Sequence, residues 1–317
     1  MSQSTDITLL NACDPEELKT REMFKKDFKL SCPVLDDNDI FKKSLKIANL
    51  ESEWEDYYEL AYNYPELEGF RRGIVSEIIN KIKAMPEYNS VQNIESKFTQ
   101  YPMSHSYLKD KNVGKNLISI DLISGNFQSL KYFSPNLVLN KDNYKDFIKE
   151  FTKEPSLVGS KYFRQLIFGL LKPRVFITVQ KHMIAHIIDT IFKKKKFNIV
   201  NLTNDEVVFE SGSTSKDVEK DKELIRTTLE GDASITYQFR IDDFTIEKVP
   251  NHYNEPWYVK YSEVQGRRIM GVHLKYLFQV YNYIEKKPNE PKDFWWRERG
   301  RLCSLLEAEE FKDPNES

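Results

Sequence analysis

Asp205 and Glu206, side by side in the apolar run 198–211, are the residues of this sequence best suited to chemistry. Ile199, Val200, Val207, Val208 and Phe209 around them are β-branched or aromatic and favour strands, and Asn204-Asp205 supplies the turn of a tight hairpin. Strands on both sides would hold the carboxylates fixed. A hard cation such as Mg2+ is presented to a phosphate in that way, with one or two protein carboxylates and substrate oxygens and water in the other positions. A further carboxylate, Asp121, ends the apolar run Leu117-Ile118-Ser119-Ile120 and leads into a turn at Gly125 and Asn126. Asp121 and Asp205, from separate strands, would then share one metal site. Between the two blocks, residues 160–169 at helical spacing set Lys161, Arg164 and Gln165 within about a turn of each other, a face suited to an anionic phosphate chain.

In their order along the chain these blocks resemble motifs A, B and C of the palm and fingers of DNA polymerases. Asp121 and Ser124 match the Asp-x-x-Ser of motif A in family B polymerases. Lys161-x-x-x-Gln165-Leu166-x-Phe168-Gly169 is similar to that family's motif B, Lys-x-x-x-Asn-Ser-x-Tyr-Gly. Asn204-Asp205-Glu206 before an apolar strand is closer to family A, whose motif C begins His-Asp-Glu. The resemblance spans residues 115–212 and mixes two families. Asn126 and Phe127 stand where family B has Tyr-Pro, Gln165 replaces an asparagine and Asn204 a histidine.

The resemblance implies a divergent DNA-polymerase-like nucleotidyltransferase. In such an enzyme Asp121 and Asp205 hold two Mg2+ ions, and Glu206 is an auxiliary ligand or orients the primer end. Lys161 faces the incoming nucleoside triphosphate, with Arg164, Gln165, Asn126 and Phe168 around the substrate. Nucleic acid and replication proteins are the implied partners.

Plainer readings stand beside this one. A hairpin tip with Asn-Asp-Glu is an ordinary solvated turn, Asp121 alone suits a helix N-cap, and Lys161 and Arg164 suit a solvated helix face. The competing classes are a catalytically inactive, palm-derived nucleic-acid-binding or replication accessory protein, and a structural or host-interaction protein. His182, His186 and Asp189 share one expected helix but lack the glutamate of His-Glu-x-x-His, and they read as packing or solvation. The sequence contains no Gly-rich phosphate loop and no nucleophile elbow.

At 317 residues, 40% hydrophobic and 13% aromatic, the chain has ample material for a packed core. Its 47 basic and 49 acidic residues leave a net charge of -2, which excludes the global basic field of a nonspecific DNA-coating protein. Nucleic-acid contact would have to come from local patches, such as the lysines at 193–196 or Lys109, Lys111 and Lys115. Cys13, Cys32 and Cys303 are too few and too scattered for a disulfide framework or a cysteine zinc site, which fits a reducing compartment. The first residues lack the layout of a secretory signal, and no apolar run approaches the ~20 residues of a membrane span. The expectation is a soluble intracellular protein, cytoplasmic or nuclear, with no membrane partner.

An α+β fold would have to position these groups. The expected order is a mainly helical N-terminal region at 1–114, a palm-like mixed sheet flanked by helices at 115–305, and an acidic disordered tail at 306–317. Helices are expected at 16–27, 39–48, 52–61 and 68–84, punctuated by Pro65, Pro86 and Pro102, with Trp54, Tyr57, Tyr58, Tyr62 and Tyr64 as core. Farther on, 175–179 reads as a short strand or helix start, 180–193 as a helix and 212–222 as a polar segment. Strands at 235–241 and 244–249 would meet at an Asp242-Asp243 turn. Residues 257–264 and 267–272 form a hairpin around Gln265-Gly266, and 273–286 an amphipathic helix.

Overall fold

The computed structural model describes residues 13–94, 97–101, 106–250 and 256–305, so Pro102 and the expected tail at 306–317 lie outside the described residues. Four helices come first, α1 (Pro15–Phe28), α2 (Asn38–Ala48), α3 (Glu51–Asn63) and α4 (Leu67–Ala84). They are followed by β1 (Leu117–Leu122), α5 (Gly125–Phe133), α6 (Tyr144–Ile148), α7 (Pro155–Gly159), α8 (Lys161–Gly169) and α9 (Pro173–Phe192). Next come β2 (Asn198–Leu202), β3 (Glu206–Glu210), α10 (Ser215–Glu230), β4 (Phe239–Val249), β5 (Trp257–Ser262) and β6 (Gly266–Met270). The order closes with α11 (Leu277–Glu285) and the hairpin β7 (Trp295–Glu298) and β8 (Arg301–Ser304). The class is α+β. Among the described residues no helix is long and apolar enough to cross a membrane.

The chain divides into two compact units. One gathers the residues up to Arg71, Glu154–Arg164 and those from Val272 on, and the other gathers Arg72–Lys153 and Gln165–Gly271. The expected division at residue 114 therefore falls inside the second unit.

Helix ends follow local rules. The Asp14 carboxylate accepts from the N–H groups of Glu16 at 2.9 Å and Glu17 at 3.0 Å, and α1 stops at Lys29 in the left-handed region. The expected polar segment at 212–222 is instead the start of α10. Thr214 and Asp217 form a reciprocal capping box there, which turns a charged stretch into a helix. Residues 175–179 join α9, whose first turn opens with Pro173.

In the first unit the aromatic residues divide. Tyr57 is buried against Phe24, and Trp54 meets Phe41 edge-on at 4.7 Å between ring centroids. Tyr58 and Tyr62, expected in the core, face solvent instead. The helical period gives the inner flank of α3 to Tyr57 and Leu60.

At the centre of this unit lies a buried ionic group. Arg71 Nη2 sits 2.8 Å from Asp27 Oδ1, and the Tyr57 hydroxyl donates to Asp27 Oδ2 at 2.7 Å. Burial pushes the Asp27 carboxyl above its usual pKa, and the Arg71 charge opposes that shift. Elsewhere in the unit, Lys43 and Asn282 both hold Asp293, and Arg297 bonds Asp36.

The second unit is built on one six-stranded sheet in the order β2-β3-β1-β4-β5-β6, antiparallel at every pairing rather than mixed. Helices connect β1 to the β2–β3 hairpin and the hairpin to β4, so the first four strands form a double split βαβ arrangement. Alternation along β1 sends Ile118, Ile120 and Leu122 into one core with Met183, Ile184, Ile187, Ile188 and Ile191 of α9 and Ile225 and Leu229 of α10. The opposite face carries Leu117, Val208, Phe244 and Tyr258 as a smaller apolar cluster, with polar and charged residues beside it.

One expectation fails at β4. Asp242 and Asp243 do not make a turn, and Phe239–Val249 is a single eleven-residue strand. Aspartates favour turns because water solvates them there, but here distant side chains do so. Asp242 accepts from Ser262 and Gln265, and Asp243 holds Lys222. The β5–β6 hairpin forms where expected, with Gly266 at a φ of 66° in the left-handed region that a side chain would strain.

Candidate functional site

The antiparallel register sets Asp121 of β1 directly opposite Glu206 of β3 on one side and Arg240 of β4 on the other. These three form a row across the sheet on the face turned away from α9 and α10. Arg240 Nη2 donates to Asp121 Oδ2 at 2.8 Å, with both side chains partly exposed. Asp205 is exposed at the adjoining turn. Its carbonyl accepts from the Leu122 N–H at 2.9 Å, and its Oδ1 accepts from the Thr203 hydroxyl at 3.1 Å. The strand position facing Asp121 thus belongs to Glu206, and Asp205 adjoins it from the turn.

Glu206 bears the electrostatic consequence. Burial first, then the negative charges of Asp121 and Asp205, push its carboxyl up to about 7, while Lys260 and Arg240 pull the other way. A carboxyl raised in the folded state binds its proton more tightly there than in the unfolded chain. Stability is then full below the unfolded pKa and falls as pH rises from the ordinary carboxylate range through about 7. Glu206→Gln removes this dependence. The expected result is that thermal midpoints of wild type fall between pH 5 and pH 8 more than those of the variant, checked by melts of both proteins. Parallel pH profiles would disprove it.

Beyond this row the same face holds a buried charge group. Asp242 is fully buried and accepts from Ser262 Oγ at 2.7 and 2.8 Å and from Gln265 Nε2 at 3.0 Å. Lys260 Nζ lies 3.7 Å from Asp242 Oδ2 and 3.9 Å from the centre of the Phe244 ring. Burial lowers the Lys260 pKa, and Asp242 and Glu206 oppose that shift. Sequence reading missed Arg240 and Lys260 as site residues and assigned Asp242 to a turn. A lysine inside the apolar run Trp257-Tyr258-Val259 and Tyr261 was the available signal, since a charge at an inward strand position requires a partner.

The other expected substrate residues separate. Phe168 is buried, with its ring 6.0 Å from Phe176 and 6.1 Å from Tyr144, and is a core residue. Asn126 Oδ1 accepts from Gln180 Nε2 at 2.7 Å and joins α5 to α9. Gly125 lies against the same side chain, 3.2 Å from where a Cβ would stand, so the start of α5 admits only glycine without movement of Gln180. On α8, Lys161 and Arg164 belong to the first unit and Gln165 to the second. The second unit by itself supplies Arg240 and Lys260 as cations beside the carboxylates.

The histidines on α9 do not converge. The His182 ring meets Tyr132, and His186 lies 3.1 Å from the Tyr237 hydroxyl and 3.2 Å from Ser234 Oγ. Asp189 accepts from the Tyr101 hydroxyl. The lysines at 193–196 are exposed after α9, and Lys195 pairs with Asp221 at 2.5 Å.

Among the described residues, the groups that could bring three metal-ligating side chains together reduce to Glu219, Asp243 and Glu263, with ligand atoms within 4.8 Å of one another. A cation already stands there. Lys222 Nζ is 3.2 Å from Glu219, 2.7 Å from Asp243 and 3.1 Å from Glu263. Burial disfavours this ammonium, but its hydrogen bonds to the three carboxylates outweigh that and raise its pKa. Lys222→Ala is expected to leave three unpaired carboxylates, destabilise the second unit and create a Ca2+ site. Millimolar Ca2+ should raise the thermal midpoint of the variant and not that of wild type. An equal response of the two proteins would count against this picture.

No protein-family profile matches this chain, and no curated protein and no solved structure matches it.

Proposed function

We propose that the second unit performs metal-assisted phosphoryl transfer, as a divergent DNA-polymerase-like nucleotidyltransferase acting on a nucleic-acid primer. The observation that carries this reading is the cross-strand row Glu206, Asp121, Arg240, with Asp205 at the adjoining turn. Mg2+ takes only one or two protein carboxylates when substrate phosphates and water complete its octahedron, and this row would supply that number. Asp121 would hold the ion together with Glu206 or Asp205, the latter being the ligand that the likeness to motif C favours. Bound there, Mg2+ would act as a Lewis acid toward a phosphoryl oxygen.

The chain's own residues would do the rest. Glu206, with a pKa near neutrality, has the proton affinity of a general base for a primer hydroxyl. Arg240 neutralises Asp121 in the free protein and can turn to phosphate oxygens when a cation takes its place. The competing reading is a non-catalytic nucleic-acid-binding protein, which would need no carboxylate pair on this face.

The test is incorporation of labelled nucleotides onto DNA and RNA primer-templates with Mg2+ or Mn2+. Metal-dependent extension is expected. Primer binding without incorporation would favour the accessory-protein reading, and absence of both binding and incorporation the structural or host-interaction one.

A further inference from the structure

The first unit contains a feature unrelated to that chemistry. An open pocket of about 230 Å3 lies beside α1 and α3. Met23 and Leu67 give it apolar surface, Tyr58 and Tyr62 aromatic surface, and Glu16 a carboxylate, while the Glu17 carboxylate is already held by Arg21 and Asp14 caps α1. Tyr58 and Tyr62 are one helical turn apart and so share a flank of α3. They are 44% and 81% exposed, although their neighbours Tyr57 and Leu60 are buried. Acid outweighs base at the pocket and along α3. α3 carries Glu51, Glu53, Glu55, Asp56 and Glu59 with no lysine or arginine, and Lys19 alone is basic among the lining residues.

Each property narrows the ligand. The volume is below the roughly 300–1,000 Å3 of pockets that enclose small-molecule ligands, and it suits a single side chain. Carboxylates at the rim repel an anion, and a purely apolar group would desolvate them without return. Tyrosine faces beside carboxylates attract a cation, and a planar guanidinium both stacks on the ring and donates two bonds to one carboxylate. We infer that this pocket receives an arginine side chain from a basic segment of a partner protein. The acidic helix α3 would attract such a segment from a distance, and the tyrosine pair would then select the guanidinium.

The experiment uses the full chain and a fluorescein-labelled peptide with arginines spaced by glycine and serine, followed by anisotropy. Lysine and glutamate versions of the peptide serve as comparison. The arginine peptide should bind most tightly, with affinity falling as salt rises. Tyr62→Ala is expected to weaken it by roughly three- to thirtyfold, the range of a cation–π contact between exposed and desolvated sites. Glu16→Gln should weaken it less and reduce the salt dependence. Circular dichroism should be unchanged in Tyr62→Ala, because that side chain is mostly exposed. Tyr58→Leu provides a second variant that keeps bulk and removes the π face. Equal affinity of wild type and both tyrosine variants would mean general attraction to an acidic surface and would overturn the inference. So would equal affinity for the arginine and lysine peptides, or no binding at low salt. None of these outcomes depends on nucleotide incorporation.

Discussion

Asp121→Asn is expected to cut Mg2+-dependent nucleotide incorporation by on the order of 10²–10³-fold, the usual loss when one preorganised electrostatic partner of a transition state is removed. Asp121 is the centre of the row, facing Glu206 and Arg240 from one strand position, so no neighbouring carboxylate can take over both contacts. The substitution should leave the fold intact. Its ion pair with Arg240 is partly solvated, and such pairs contribute about 1 kcal/mol or less. Asp205→Asn should also lose activity while keeping its structure, since an exposed turn accommodates asparagine well. Glu206→Gln separates two roles. A ligand role predicts a higher Mg2+ requirement, whereas a general-base role predicts a lower kcat and loss of the pH dependence near 7. Wild-type turnover in purified Asp121→Asn, with its circular dichroism unchanged, would remove this row from the reaction.

The second large effect concerns stability. Arg71→Met should cost about 3–5 kcal/mol, because it leaves the Asp27 carboxylate buried without its countercharge. Tyr57 would still donate to Asp27, but a neutral donor does not replace a guanidinium. The double variant Asp27→Leu with Arg71→Met should recover much of the loss, since an apolar pair of similar volume avoids desolvating two ions. Urea titrations of the single and double variants measure both. A loss below 1 kcal/mol for Arg71→Met, or a double variant no better than the single, would show that the ionic group is not what holds this unit together.

Legibility varied from element to element. The four N-terminal helices follow from apolar residues at helical spacing and from acidic first turns, and they form within a few residues of the expected ends. The hairpin of β2 and β3 and the strand β1, one residue longer than expected, follow from β-branched residues on either side of turn chemistry. The start of α10 was also readable from Thr214 and Asp217, although the surrounding charge reads as a polar segment. At β4 local signals point the wrong way. Paired aspartates favour a turn, yet Ser262, Gln265 and Lys222 replace the water that such a turn would offer.

The sequence by itself determined the α+β class, most of the helices, the strands β1, β2, β3, β5 and β6, and the acidic residues on β1 and at the start of β3. Those features depend on propensity, alternation and capping, which act over a few neighbouring residues. Only the tertiary structure decided that Glu206 faces Asp121, that Arg240 and Lys260 join the carboxylates, and that Lys222 stands among Glu219, Asp243 and Glu263. It also decided that the first unit draws its residues from three separated stretches of chain. Register and charge pairing join residues far apart in sequence. A strand displays only which of its residues share a face, and its partner strand determines what stands opposite them.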